Sequence, residues 1–173
     1  MFLENKMIET DRYILRNIDP NDDDFQNYIS WMRNTESNRF IVSARDNYSV
    51  EDLKKYISEK NLADDALLIG IFDKQKLNHI GNIKFEPILK EESACIGILI
   101  GEPDYRGIGT GKECLEVLLK YVFLKFNLDF IYLGVDLNNH DARKLYKKLG
   151  FIELQKTVNI SDGIEMQLHR TEI

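Results

Sequence analysis

The sequence predicts a mixed α/β (α+β) domain built on a single, mostly antiparallel twisted sheet of six to seven strands, with helices on both faces. Three observations predict it. Three strand patterns, Ala66 to Phe72, His79 to Phe85 and Ala94 to Ile100, follow one another through hairpin-length polar links, which favours an antiparallel meander. The third pattern then passes through a glycine-rich loop and an amphipathic helix to a further strand, Phe130 to Val135; such a step favours a right-handed crossover and parallel pairing. Helical periodicity before the meander and after the crossover supplies elements to cover the sheet.

The elements are justified in order. Arg12 to Arg16 carries β-forming residues ahead of the stop Asp19-Pro20 and reads as the first strand. Phe25, Tyr28, Ile29 and Met32 fall at helical spacing, giving a helix from about Asp22 to Arg33. Ser49 then caps a second helix with Leu53, Tyr56 and Ile57 on one face. Between these helices the loop Asn34 to Tyr48, with Arg39, Phe40 and Arg45, is placed to line a binding pocket. After the meander comes a helix from Gly109 to Phe126, whose Leu115, Leu118, Leu119, Val122 and Phe126 form a broad apolar stripe. Asn138 to Phe151 reads as a helix with Leu145 and Leu149 on its inner face and Gly150 at its C-terminal cap. Ile152 to Val158 and Glu165 to His169, joined around Ser161-Asp162-Gly163, close the sheet as a hairpin.

A chain of 173 residues suits a single domain over 1–173, large enough to bury a core without disulfides or a metal. The net charge of −6 argues against a nucleic-acid partner, because affinity there comes largely from Lys and Arg on phosphates. Neither a basic leader followed by an apolar run nor eighteen consecutive apolar residues occurs, so a cytoplasmic protein with no membrane partner is expected. Cys95 and Cys114 lie in apolar patterns without metal-ligand spacing and are expected in the core. His79, His140 and His169 are scattered and read as readily as surface residues.

The chemistry concentrates in Tyr105-Arg106-Gly107-Ile108-Gly109-Thr110-Gly111-Lys112. Glycines at alternate positions let the backbone turn tightly with its N–H groups converging, and the helix that follows adds unpaired amides and the positive end of its dipole. The run reads as a phosphate cradle. A P-loop is excluded because Arg106 stands where its first glycine belongs and Glu113 follows Lys112; the dinucleotide fingerprint fails because Lys112 stands where it needs a small residue. Taken alone, the run is equally well a glycine-rich turn entering a helix.

What remains, Arg106-x-x-Gly109-x-Gly111 past the chain's midpoint, resembles the pyrophosphate loop of the GNAT N-acetyltransferases. A separate segment carries the same resemblance: Asn138, Ala142, Tyr146, Gly150 and Phe151 match the family's Asn-x-x-x-Ala-x-x-x-Tyr followed by Gly-Phe. Thr10 to Arg16 is similar to the opening strand of the branch that acetylates protein N-terminal amines, ribosomal-protein alanine among them, and assorted small amines; Ile80 to Lys84 and Ile96 to Glu102 look closer to members of amino-sugar and surface-polysaccharide pathways. The order of elements resembles the GNAT fold over nearly the entire chain.

The resemblance implies a splay between the fourth and fifth strands, Ala94 to Ile100 and Phe130 to Val135, into which the pantetheine of acetyl-CoA enters. It implies that backbone amides of Gly107, Ile108, Gly109, Thr110 and Gly111 hold the pyrophosphate, with Arg106 orienting the loop or meeting the phosphates. A fourth-strand N–H at Ile98, Leu99 or Ile100 would polarise the thioester carbonyl, Asn138 would hydrogen-bond the pantetheine or its surroundings, and Ala142 would share a helical face with Tyr146. Tyr146 would protonate the departing thiolate. Cys95 stands where relatives often carry a glutamate base, which leaves Glu86 and Glu102 as local candidates, each equally well a solvated strand-end charge.

The expected activity is direct transfer of an acetyl group from acetyl-CoA to a primary amine, without a metal. The acceptor is a small molecule, a nucleotide-linked amino sugar among the candidates, or a protein N-terminus. The alternative is a non-catalytic module that binds acyl-CoA or scaffolds a partner on the same fold; a homodimer is left open.

Overall fold

The computed structural model describes residues 7–21, 25–33, 49–157 and 163–172. Along them run β1 (Met7–Glu9), β2 (Tyr13–Asn17), α1 (Gln26–Arg33), α2 (Val50–Leu62), β3 (Leu67–Asp73), β4 (His79–Leu89), β5 (Ser93–Ile100), α3 (Thr110–Phe126), β6 (Phe130–Asp136), α4 (His140–Lys148), β7 (Ile152–Thr157) and β8 (Gly163–His169). The strands form one eight-stranded sheet in the order β1-β2-β3-β4-β5-β6-β8-β7, and every pairing is antiparallel except that of β5 with β6.

The sheet is covered on both faces, and β3 shows how. Its run Leu67 to Phe72 is buried throughout, as a central strand with cover on both sides requires. Successive side chains alternate between faces: Leu67, Ile69 and Ile71 join one core with Leu115, Leu118, Leu119 and Val122 of α3, while Leu68 joins another with Ile29 and Trp31 of α1 and Leu53 and Ile57 of α2. Each fully buried leucine on α3 contributes roughly 1.5–3 kcal/mol. The helix stops where Asn127 takes the left-handed conformation, φ 53°. On the other face, Ser49 and Asp52 form a reciprocal capping box that fixes the start of α2.

Three details depart from the sequence reading. An eighth strand, β1, pairs with β2 through Met7, Ile8 and Glu9; at three residues, half exposed, it has no hydrophobic period to betray it. β4 continues past Glu86-Pro87 to Leu89, because a bulge between Phe85 and Ile88 takes up the proline. A second register shift between Ile71 and Phe72 turns His79 inward, where it is 6% exposed and stacks on Phe72 at 4.9 Å. The expected pocket loop with Arg39, Phe40 and Arg45 and the turn at Ser161 and Asp162 lie outside the described residues.

Parallel pairing of β5 with β6 is brief. It covers Ser93 with Phe130, Ala94 with Ile131 and Cys95 with Tyr132, although β5 runs on to Ile100 and β6 to Asp136. From Cys95 onward the two strands part, and the fold opens a gap in its own sheet.

Candidate active site

The backbone of β5 determines what the gap offers. Gly81 of β4 faces Ile100 and Ile83 faces Ile98. The Gly101 N–H donates to the Ile80 carbonyl at 2.9 Å, which makes Gly81 and Ile100 a non-hydrogen-bonded pair. The main-chain groups of Ile100 therefore turn away from β4, and by the two-residue period so do those of Ile98 and Ile96. Leu99 directs its own to β4. Beyond Cys95 no β6 residue stands in register, so the amide and carbonyl of Ile98 face the gap and require a partner from outside the sheet.

At the far end of β5 the chain enters the glycine loop. Arg106 Nε donates to the Ile100 carbonyl at 2.9 Å and its Nη2 to the Gly101 carbonyl at 2.6 Å, which folds the loop back over the end of β5. Gly107 and Gly109 sit at φ 71° and 88°, in the left-handed region that a side chain would strain. The helical ladder of α3 begins with the Glu113 N–H on the Gly109 carbonyl at 3.0 Å, so the amides of Thr110, Gly111 and Lys112 precede it. Gly107, Ile108 and Gly109 are exposed. Gly111 answers to a different constraint: a Cβ there would lie 3.0 Å from Leu145 of α4 and 3.5 Å from Ile98, so its lack of a side chain sets how closely the two helices flank the gap.

The loop is braced from the start of the chain. Glu113 accepts the Thr10 hydroxyl at 2.6 Å and both the Arg12 N–H and the Arg12 Nε at 2.8 Å, while Arg12 Nη2 reaches the Ile108 carbonyl at 3.2 Å. Burial raises the Glu113 carboxyl, but these hydrogen bonds outweigh it and hold the group below the usual carboxylate range. Thr110 Oγ1 donates to the Tyr105 carbonyl at 2.7 Å and meets the Tyr13 hydroxyl at 2.8 Å. Sequence reasoning missed Thr10, Arg12, Tyr13 and Glu113. An acidic residue in the first turn of a helix is a legible dipole signal, but nothing local tells which distant residue it binds.

Tyr146 projects from α4, whose N-terminus is capped by the Asn139 side chain accepting the Ala142 N–H at 3.3 Å. Asn138 lies one position outside that cap, exposed, with its N–H on Asp136. Ala142 and Leu145 pack against the core, and Tyr146 is 5% exposed, its ring 5.5 Å from that of Phe151. Burial, with a smaller contribution from Cys95 across the sheet, pushes its hydroxyl strongly upward. No described residue hydrogen-bonds that hydroxyl.

The two glutamates fall at opposite ends of the gap. Glu86 lies at the paired end, bound to Lys60 of α2 and, at 3.0 Å, to Lys84. Burial raises its carboxyl, but the hydrogen bonds from Lys60 and Lys84 leave it below the ordinary range. Glu102 follows the loop end of β5 and accepts Trp31 Nε1 at 3.0 Å. Cys95, the last paired residue of β5, is half-buried with its thiol pushed up by burial; Cys114 is fully buried in the core. Among the described residues no group of His, Cys, Asp and Glu could hold a metal, and no helix is long and apolar enough to cross a membrane.

An extended ligand ending in a phosphate suits this arrangement: edge amides in the gap, then exposed amides at a helix N-terminus. The family model described as the acetyltransferase (GNAT) domain matches residues 12–152. An N-alpha-acetyltransferase of Sulfurisphaera tokodaii is 31% identical over 109 residues, 62% of this chain and 65% of the relative, so the chain spans just under two thirds of that protein's length. A spermidine N(1)-acetyltransferase of Vibrio cholerae is 29% identical over 128 residues, 72% of this chain and 73% of the relative. Among solved structures, the spermidine N-acetyltransferase of Vibrio cholerae in complex with CoA and spermine superposes with a TM-score of 0.78 at 22% identity, covering 92% of this chain and 96% of that one. The fold is shared with it.

Proposed function

The chain belongs to the GNAT acetyltransferase family, and from that premise we propose that it transfers an acetyl group from acetyl-CoA to a primary amine by direct attack of the amine nitrogen on the thioester carbon. The observation that carries this reading is the gap beyond Cys95, with the Ile98 amide turned into it and the glycine loop at its far end. Pantetheine, an extended amide chain, would pair with that exposed strand edge as a third strand pairs with two. Its pyrophosphate would then meet the amides from Gly107 to Gly111 at the start of α3. Arg106, engaged with the carbonyls of Ile100 and Gly101, orients the loop in this reading.

At the paired end of the gap, the Ile98 N–H would take the developing negative charge of the thioester oxygen, as Ile100 and Leu99 frame the pantetheine. Tyr146 would donate its proton to the departing thiolate; a raised pKa keeps the proton on the phenol until that charge appears. Asn138 and Ala142 belong to the wall formed by the start of α4. The assignment of a base separates the two glutamates. Glu86 is at the reacting end, but its two lysines disfavour protonation. Glu102 is at the phosphate end and is engaged with Trp31.

The relatives named for N-alpha and for spermidine acetylation support an amine acceptor, and leave both a small molecule and a protein N-terminus as its class. The test is thiol release from acetyl-CoA with spermidine, an alanine-initiated peptide and an amino sugar nucleotide as acceptors, alongside calorimetric CoA binding. CoA binding with amine-dependent thiol release is the expected result. Binding without release from any acceptor would favour the non-catalytic module instead.

A further inference from the structure

The two strands that border the gap each carry a glycine just past the point where they part. Gly97 of β5 and Gly134 of β6 are both exposed, and a Cβ built on Gly97 would meet nothing within 4 Å. Both belong to the face opposite α3 and α4: their neighbours Ile96, Ile98, Leu133 and Val135 pack into the α3 core, so alternation points the glycines the other way. An incoming amine is excluded from the α3 face by that core. The opposite face, between the two glycines, is the remaining approach, and among the described residues nothing stands within 4 Å of a Cβ at Gly97.

Each glycine has a charged cross-strand neighbour. Lys84 of β4 stands opposite Gly97, and Glu165 of β8 stands opposite Gly134. Both side chains share the glycines' face, since Ile83 and Phe85 on one strand and Ile164 and Met166 on the other turn to the α3 core. Across the sheet the order is therefore Lys84, Gly97, gap, Gly134, Glu165. Lys84 is tied to Glu86. Glu165 has no cationic partner among the described residues: one of its oxygens accepts Gln167 Nε2 at 2.8 Å, and the other is left for a ligand.

Resting on the acetyl-transfer reading above, we propose that Glu165 is a catalytic residue, the carboxylate that receives the acceptor's ammonium through the Gly97–Gly134 window and takes its proton. The thiol of Cys95 and the phenol of Tyr132, at the paired end of the gap, are raised first by burial and further by the Glu165 charge, which sets that carboxylate within electrostatic reach of the reacting end. Gln167 bonds it, and the titratable groups on the same face of the sheet are Tyr132, Cys95 and, across the window, Lys84 with Glu86. Lys84 assists, because a fixed positive charge near the bound ammonium lowers its pKa. The proton balance closes. One ammonium proton goes to Glu165 and on to water, the nitrogen forms its bond to the acyl carbon as the C–S bond breaks, and a second nitrogen proton replaces the one Tyr146 gives the thiolate.

The experiment compares wild type with Glu165→Gln and Glu165→Asp, using ethylamine, spermidine and an alanine-initiated peptide, with an aromatic amine that is already neutral at pH 7. CoA binding by calorimetry should be the same in all three proteins. For the alkyl amines Glu165→Gln should lose roughly 10²-fold in kcat/KM at pH 7 and regain about tenfold per pH unit toward the amine's pKa of about 10, whereas the aromatic amine should lose little. Glu165→Asp should keep the wild-type shape of the pH profile at a lower rate. A wild-type rate and profile in Glu165→Gln overturns the proposal, as does an equal loss for every amine at every pH. So does a wild-type chain that binds CoA yet acetylates none of these amines. A wild-type chain that does not bind CoA brings down the acetyl-transfer reading itself, and the Glu165 assignment with it.

Discussion

The Arg12 guanidinium and the Glu113 carboxylate, 101 positions apart in the chain, meet at 2.8 Å beneath the glycine loop. The pair does more than join two surface charges, which alone would contribute little. Glu113 sits in the first turn of α3 and Arg12 also holds the Ile108 carbonyl, so the opening strand fixes the height and tilt of the loop's amides.

Arg12→Ala and Glu113→Gln should therefore raise KM for acetyl-CoA by roughly tenfold, about 1.4 kcal/mol of binding, and change kcat much less. Steady-state kinetics with saturating acceptor measures the split. A fall in kcat with KM unchanged would show that the brace does not act on the loop.

Glu113 also predicts acid sensitivity. Its folded pKa is depressed, so the stability it contributes is fully present above its unfolded pKa of about 4.3 and is lost as pH falls toward the folded value. Thermal melts from pH 6 down to pH 3 should show a steeper decline for wild type than for Glu113→Gln. Parallel declines would remove Glu113 from the account.

Tyr146→Phe should lower kcat by about 10²-fold or more where chemistry limits turnover, with acetyl-CoA affinity unchanged. Because no described residue bonds the hydroxyl, the variant's stability should lie within about 0.5 kcal/mol of wild type. Denaturant unfolding beside single-turnover kinetics checks both halves. Unchanged kcat would reject the general-acid role.

Gly101→Ala should be destabilising far from the reacting atoms. Its Cβ would fall 1.9 Å from Trp31 Cδ2, and the ring that must move also donates to Glu102. Overpacking of this kind costs about 1–3 kcal/mol, or roughly 2–12 °C in Tm for a chain of this size. Calorimetry gives the shift, and tryptophan fluorescence reports the displaced ring; a variant with wild-type Tm would contradict the packing described.

Much of the fold was legible because its signals are local. The meander from Leu67 to Ile100, the apolar stripe of α3 and the Asn138 to Phe151 helix each repeat at the period of their own backbone. β1 escaped because three half-exposed residues carry no period, and the end of β4 because a proline ordinarily stops a strand unless a bulge absorbs it. Around the candidate site, the glycine loop and the parting of the strands could be read from motif and order, and the motif put Tyr146 on the helix that the structure shows as α4. The brace of Arg12 on Glu113 and the window flanked by Lys84 and Glu165 could not, because the first joins a loop to a helix 101 positions away and the second arises from register between distant strands. A one-residue slip would turn Glu165 into the core.

Three register pairs, ending at Cys95 and Tyr132, join the β1 to β5 half of the sheet to the β6, β8 and β7 half. With so few backbone pairs across it, the seam should open locally at a lower free energy than global unfolding, even though the α3 core spans both halves. Amides along it, Ile98 among them, should exchange faster than those of the fully paired strands, and more slowly once CoA is added. A molecule lodged in the seam stitches both halves, and each tenfold excess over its dissociation constant adds about 1.4 kcal/mol to the folded state. If acetyl-CoA lodges there as proposed, the donor substrate would double as a conformational keystone, and the chain's resistance to proteases would rise with the supply of that compound.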